Sequence, residues 1–372
     1  MEKISDKRAL VIAQTPPPFH GQGIMQQYLV DAKWDWFRKD FVRMNFSDAI
    51  AEVGVFKFKK VIQLFDLIRR IQKSATSKYD LIYYPPAGPH RIPIYRDIII
   101  LFYLRMISRK VVLHFHAGGI DQIFKKVTKA EAYFIRKAFT GVDAVIVLSE
   151  WLKKDVEWCK PKKYYVVGNG CEDVFKDFTS KREQQEPVCF LFVGNLKKEK
   201  GIFTLLKSAL LLKNRGETFI VKCIGSFHNE HEKNAFVTFI SENGLDPYVQ
   251  YLGHKSGSDK WKEFAGADVL CHPTYETEGM PVTILEAMMF QKPVITTRWR
   301  SIPDMIQNKA NGLLFEPQND IELADHMHRL IHNKDERTLM GERGRKDFLA
   351  NYTIEKHLEK LEVVFKDMLT SD

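Results

Sequence analysis

Short apolar runs alternate with longer segments of helical periodicity along the whole chain. The apolar run from Arg8 to Gln14 reads as a strand, and an amphipathic stretch from Met25 to Ala32 reads as the helix after it. Further strands are expected at Tyr79 to Tyr84, Lys110 to His116, Ala144 to Leu148 and Tyr164 to Val167. Helices are expected between them, at Phe56 to Lys73, Ile94 to Ser108, 122–139 and 149–158. The alternation restarts after a polar, charged stretch at 171–187. Strands follow at Val188 to Val193, Phe219 to Ile224, Val249 to Leu252, 267–272, Pro293 to Thr296 and Asn311 to Phe315. The intervening helices are Ile202 to Lys213, 229–243, 259–265 and one starting at Pro281. Asn319 to Ile331, Asp335 to Ala350 and Ile354 to Met368 close the chain as helices. Strands separated by helices imply parallel sheets with right-handed crossovers.

The predicted fold class is therefore α/β, two Rossmann-like doubly wound domains facing an inter-domain cleft. The expected boundaries are an N-terminal domain over 1–180, a C-terminal domain over 181–352 and a final helix over 353–372 that packs back toward the N-terminal domain. A length of 372 residues fits two domains, with 45% hydrophobic and 28% charged residues typical of a water-soluble chain. Five scattered cysteines without C-x-x-C spacing point to reduced thiols. The N-terminus shows no secretory signal, and the longest apolar run, Ile98 to Leu104, is too short to span a bilayer. The expected location is cytoplasmic, with the option of a peripheral position on the cytosolic membrane face.

Charge adds one asymmetry. Residues 1–180 hold 30 Lys and Arg against 19 Asp and Glu, whereas residues 181–372 hold 26 against 28. The net charge of +9 thus belongs to the first half, which suits an anionic partner such as a membrane surface or a lipid diphosphate. The segment Phe56 to Lys73 is a basic amphipathic helix that could lie on anionic lipid or simply pack on the sheet. Nucleic acid also suits the charge, but no reader motif accompanies it, and none is expected as a partner.

Candidate chemistry concentrates around Glu276 to Phe290. Glu278 sits in a loop and Glu286 inside the following helix, with seven residues between them. A mostly helical gap separates them by roughly 10 Å, which suits holding two ends of one ligand better than sharing one proton. Backbone N–H groups at the helix start, Pro281 to Ile284, favour an anion between them. Lys200 precedes another helix start and can neutralise phosphate. Gly21 and Gly23 in the first loop permit close backbone approach, although they do not form G-x-G-x-x-G. His116 ends a strand beside Gly118 and Gly119. The chain has no G-x-S-x-G, no P-loop, no H-E-x-x-H or Cys/His cluster and no D-x-D, so no metal or other cofactor is expected.

Several of these segments resemble glycosyltransferase family 4. Glu278-Gly-Met-Pro-Val-Thr-Ile-Leu-Glu286 with Ala287-Met288 resembles its E-x7-E motif. Phe192-Val-Gly-Asn-Leu-Lys-Lys-Glu-Lys-Gly201, Gly168-Asn-Gly170, Asn311 to Phe315, His114 to Gly119 and Pro16 to Gly23 resemble further segments of that family. The resemblance implies a GT-B fold and a retaining, metal-independent hexosyl transfer from a nucleotide-diphosphate sugar, such as a UDP-sugar. The implied acceptor is a glycan or lipid-linked glycan in cell-surface polysaccharide biosynthesis. It implies catalytic roles for His116, Lys200 and Glu278. It implies donor contacts from Gly21, Gly23, Asn195, Gly279, Met280, Pro281, Val282 and Glu286, with Glu286 on the ribose. Asn195 stands where the family usually has arginine, and Lys197 or Lys198 is the candidate replacement for that charge. A nucleotide-sugar epimerase of the same architecture and a non-catalytic nucleotide-sugar-binding relative remain the alternatives.

Overall fold

A computed structural model describes residues 6–17, 21–46, 58–74, 78–178 and 187–371. The chain divides into two compact units. The first comprises residues 1–170, 277–280 and 354–372, and the second 171–276 and 281–353.

The first unit carries a six-stranded, wholly parallel sheet in the order β2-β1-β3-β4-β5-β6. Its strands are β1 (Arg8–Ala13), β2 (Arg38–Arg43), β3 (Tyr79–Tyr84), β4 (Ser108–Phe115), β5 (Ala144–Val147) and β6 (Lys163–Val166). The helices are α1 (Gly21–Asp31), α2 (Phe58–Ser74), α3 (Arg91–Ile107), α4 (Lys129–Phe139) and the short α5 (Lys153–Val156), joined by the C-terminal α12 (Ile354–Thr370). The central strands are apolar on both faces because helices cover both, as parallel sheets require.

β2 departs from the sequence reading, which placed no strand there. Its sequence RKDFVR is charged and only Val42 is buried, so it lacks the apolar signal of an interior strand. It is an edge strand, and Arg8 Nη2 reaches Asp40 Oδ2 at 2.7 Å across the pair. The continuous helix expected over 122–139 is also corrected. A 3-10 turn at Ile120–Lys125 precedes α4, whose start is fixed by a capping box between Thr128 and Glu131. The helix expected over 149–158 is only α5 followed by a 3-10 turn. There the Asp155 carboxylate turns inward and accepts from the Gly119 N–H.

α12 joins the first unit through aromatic packing. Phe365 lies against Trp34, Phe37 and Tyr83, with ring centroids 5.3, 5.7 and 6.0 Å away. Trp36 Nε1 donates to Glu362 at 2.8 Å, and His357 Nδ1 donates to the Gly168 carbonyl at 2.7 Å. Burial pushes the His357 imidazole down to about 4, so it stays neutral in the folded unit. The unfolded chain takes up a proton as pH falls through its ordinary value of about 6.5, and the folded chain does not until about 4. Stability is then complete above pH 6.5 and falls through that window, by about 3 kcal/mol in total. Denaturant titrations at pH 7 and pH 5 should show a smaller acid loss for His357→Gln than for the parent. Equal losses would remove His357 as the cause.

The second unit carries a second six-stranded parallel sheet, in the order β12-β11-β10-β7-β8-β9. Its strands are β7 (Val188–Val193), β8 (Phe219–Ile224), β9 (Val249–Tyr251), β10 (Val269–His272), β11 (Val294–Thr297) and β12 (Gly312–Phe315). Its helices are α6 (Ile202–Asn214), α7 (Glu230–Glu242), α8 (Gly257–Gly266), α9 (Val282–Met289), α10 (Asp320–His332) and α11 (Lys334–Asn351). The core joins Phe190, Phe192, Leu205, Leu206, Val221 and Phe315 across the sheet and its helices. Asp173 ties the start of this unit to α11 through a two-pronged bond from Arg345, at 2.8 and 2.7 Å. All five cysteines are buried thiols outside any disulfide.

Candidate functional site

The sequence-predicted residues fall into two groups, one in each unit. In the second unit, Asn195, Lys200, Pro281, Val282 and Glu286 gather on loops and helix starts. These follow the C-terminal ends of β7 and β10, neighbouring strands of the sheet. Such strand ends are where open α/β sheets present their ligand sites.

The turn after β7 is held close to the loop after β10 by glycine. Gly201 has φ +80°, and a Cβ there would lie 2.0 Å from the Pro273 carbonyl oxygen. The adjacent backbone bond from Tyr275 N to the Glu199 carbonyl, 2.8 Å long, locks the two loops together. The result is a three-residue charge cluster. Lys200 Nζ lies 3.2 Å from Glu276 Oε2, and Lys197 Nζ binds Glu276 Oε1. Lys197 thus shares the Glu276 carboxylate with Lys200, while Asn195 is exposed and its carbonyl accepts from Lys197 N at 3.0 Å. Lys198 points its backbone toward Glu232 instead. The sequence reading missed Glu276, whose role depends on a contact between two loops 76 positions apart in number.

Glu286 lies in α9 and is only 6% exposed. Burial raises the pKa of its carboxyl group, and the ammonium of Lys260, 2.6 Å from Oε1, opposes that shift. Lys260 in turn sits 4.1 Å above the Trp261 ring. A buried carboxylate with one cation on one oxygen is a good acceptor for neutral hydroxyls. Lys260 was also missed, because no motif spacing marks it; the register of α8 against α9 does. Pro281 occupies the N-cap of α9 with φ −65°, and no side chain caps the helix. The N–H groups at Val282 and Thr283 begin the helix, a favourable place for an anion.

In the first unit, the segment Thr277–Met280 packs on the loops after β4 and β6. A Cβ on Gly279 would lie 2.3 Å from the His116 carbonyl oxygen, so only glycine allows that approach. Asn169 Nδ2 donates to the Met280 carbonyl at 3.2 Å, and the Met280 methyl would touch any side chain at 168. Gln122 Nε2 reaches Thr277 Oγ1 at 3.5 Å. Glu278 is half-buried on this segment. His116 follows β4, and its ring lies 4.0 Å from that of the fully buried His114. His114 Nδ1 and Tyr83 Oη are 2.7 Å apart. Burial first, then the neighbouring His116 and His357, keeps the His114 pKa well below the usual range. A neutral His114 thus backs the His116 ring.

Gly21 and Gly23 differ from the expected loop glycines. Both lie in the first turn of α1, which begins at Gly21 rather than near Met25. No protein atom lies within 4 Å of the position a Cβ on Gly21 would take, so no packing inside the chain requires glycine there. Residues 18–20 of this loop lie outside the described residues. Helix α1 is anchored by Gln26, whose Oε1 accepts from Gln14 N.

The family model described as glycosyl transferases group 1 matches residues 173–347, just under half of the chain and almost all of the second unit. The uncharacterized glycosyltransferase MJ1178 of Methanocaldococcus jannaschii is 26% identical over 250 residues, 67% of each chain. The capsular polysaccharide biosynthesis glycosyltransferase CapM of Staphylococcus aureus is 25% identical over 330 residues, 75% of this chain and 85% of CapM. Among solved structures, sucrose-phosphate synthase from Thermosynechococcus elongatus superposes with a TM-score of 0.76 at 15% identity, covering 98% of this chain and 100% of that one. Anabaena HepE in complex with UDP-glucose gives 0.72 at 18% identity, covering 97% and 99%. The fold is that of the GT-B glycosyltransferases, and the matched second unit supports a glycosyltransferase.

Proposed function

We propose that this chain is a retaining, metal-independent glycosyltransferase that takes a sugar from a nucleotide-diphosphate donor. The observation that carries the reading is the Lys197–Glu276–Lys200 cluster, whose Glu276 lies on the loop that leads into the uncapped start of α9, with buried Glu286 farther along that helix. A free diphosphate can take the place of the Glu276 carboxylate on the two ammonium groups, because both are anions and the phosphate carries more charge. The charge that develops as the C1–O bond breaks then meets two lysines and a helix start. Glu286 accepts from the ribose hydroxyls. His116, Glu278 and the backbone at Gly279 and Met280 are assigned to the sugar, and the acceptor hydroxyl attacks from the face the diphosphate leaves, giving its proton to the departing diphosphate oxygen. HepE, of like fold, was crystallised with UDP-glucose, which favours a uridine nucleotide as donor.

The acceptor proposed is a lipid-linked glycan of cell-surface polysaccharide synthesis, in line with the role for which CapM is named. The surface of the first unit supports a membrane position. Leu64, Leu67 and Ile71 of α2 are buried, whereas Phe58, Ile62 and Phe65 are exposed at 73, 59 and 68% beside Lys59, Lys60 and Arg69. Tyr133 and Phe134 of α4 are likewise exposed next to Lys129 and Lys137. No helix among the described residues is long and apolar enough to cross a membrane. Binding to vesicles with acidic lipid is expected at low salt, weakened by high salt and by Phe58→Ser with Phe65→Ser. Equal sedimentation without acidic lipid would remove the charge argument.

The function itself is tested with a panel of labelled nucleotide sugars and glycan acceptors. Formation of a glycoside with the donor's anomeric configuration supports the reading. An epimerised donor, or binding without turnover, would overturn it.

A further inference from the structure

A second constellation lies on the other edge of the second unit's sheet. Glu217 stands two residues before β8, at the N-terminal strand edge, whereas the phosphate-side loops follow the C-terminal ends of β7 and β10. His328 and His332 lie on α10 one turn apart. His328 Nε2 is 3.1 Å from Glu217 Oε1, and His332 Nε2 is 3.0 Å from Glu217 Oε2. The two imidazole rings are 4.6 Å apart, and the three donor atoms all lie within 4.8 Å of one another.

The backbone holds these groups in place. Gly216, with φ +80°, ends the α6 turn, and the Glu217 N–H closes it onto the Leu212 carbonyl at 3.1 Å. Helix α10 buries Leu323, Ala324, Met327 and Leu330, which sets His328 and His332 on its rim. Ser208 Oγ of α6 donates to the Asp320 carbonyl at 2.8 Å, joining the two helices. The Glu217 side chain is 13% exposed, so its orientation is constrained.

We propose that Glu217, His328 and His332 form a binding site for a borderline divalent cation, of which Zn2+ is the expected occupant. Two histidines spaced i, i+4 present their imidazoles on one helix face, the spacing that helical zinc sites use. Two nitrogens and one carboxylate oxygen favour zinc, nickel or cobalt over magnesium or calcium, which prefer all-oxygen shells. Donor atoms about 3 Å apart need little movement to meet at bonds of about 2.0–2.2 Å, typical of zinc. The fourth position faces solvent and takes water. The cation would clamp the entry to β8 to the C-terminal turn of α10. Its place at the opposite strand edge makes it a structural site, separate from the proposed transfer chemistry. The bare alternative is a carboxylate held by two imidazole N–H groups, with no cation.

The test uses the full chain stripped with a chelator. Zn2+ titrated by calorimetry should bind with one equivalent and raise the melting temperature saturably. Co2+ should give the visible absorption of a low-coordinate nitrogen and oxygen site. His328→Ala with His332→Ala should weaken this binding at least tenfold, as should Glu217→Gln, with unchanged far-ultraviolet dichroism in the absence of metal. UDP affinity should be equal in all variants, which separates this site from the nucleotide reading. Absence of one-equivalent binding to the parent chain would overturn the proposal. So would equal Zn2+ affinity and equal cobalt absorption in the double variant.

Discussion

Lys200→Ala is expected to lower the sugar-transfer rate about a hundredfold or more while changing UDP affinity only a few-fold. Glu286→Ala is expected to do the reverse. Lys200 is paired with Glu276 before the donor arrives, and it shares that carboxylate with Lys197. An exchange of one anion for another costs little binding energy in the ground state. The gain comes when charge grows on the departing diphosphate, so it falls on turnover, and removal of a preorganised charge costs about two to three orders of magnitude. Glu286 is different. It is buried, it is held by Lys260, and its proposed ligands are hydroxyls that do not change charge during transfer. Its loss also leaves the Lys260 ammonium without its carboxylate, so about tenfold or more in nucleotide affinity is expected to go. Calorimetry with UDP and initial rates with the active donor separate the two. Unchanged UDP affinity in Glu286→Ala would remove the ribose assignment. A purely affinity-based effect in Lys200→Ala would remove the leaving-group assignment.

Gly201→Ala is expected to destabilise the second unit by about 3 kcal/mol or more. Two effects add at this position. The left-handed backbone, φ +80°, costs a side chain about 1–2 kcal/mol. The added methyl would also meet the Pro273 carbonyl oxygen at 2.0 Å, which forces the loops after β7 and β10 apart. Gly216 provides the control, because its φ is also +80° but nothing lies within 4 Å of its Cβ position. Gly216→Ala should therefore show the conformational cost alone, about 1–2 kcal/mol. Urea midpoints of the two variants test the difference. Equal losses would show that the approach to Pro273 does not matter. Because Lys200 and Glu276 flank the same contact, Gly201→Ala should also lose transfer activity beyond what unfolding explains.

Interior strands were legible in the chain itself. Val188–Val193, Phe219–Ile224 and Tyr79–Tyr84 match their expected limits, because short, largely apolar runs bounded by polar turns suit a strand covered on both faces. The edge strand β2 was not, since an edge of charged residues carries no apolar signal. The start of α4 was shifted by a capping box, a two-residue device that outweighs the weak helical periodicity before it. Motif residues such as Lys200, Glu278 and Glu286 could be named from spacing, because a short loop and helix fix them relative to their own strand. Their partners could not. Glu276 for Lys200, Lys260 for Glu286 and the Glu217–His328–His332 triad each depend on side chains brought together from separate elements. Gly279 shows the same division. Sequence marked it only through the motif it belongs to, and the packing of its segment on the His116 carbonyl explains why no side chain fits. Local pattern determined the alternation of strands and helices and hence the α/β class. Tertiary packing decided which charges meet, because electrostatic pairing acts over a few ångströms in space and leaves no periodic trace along the chain.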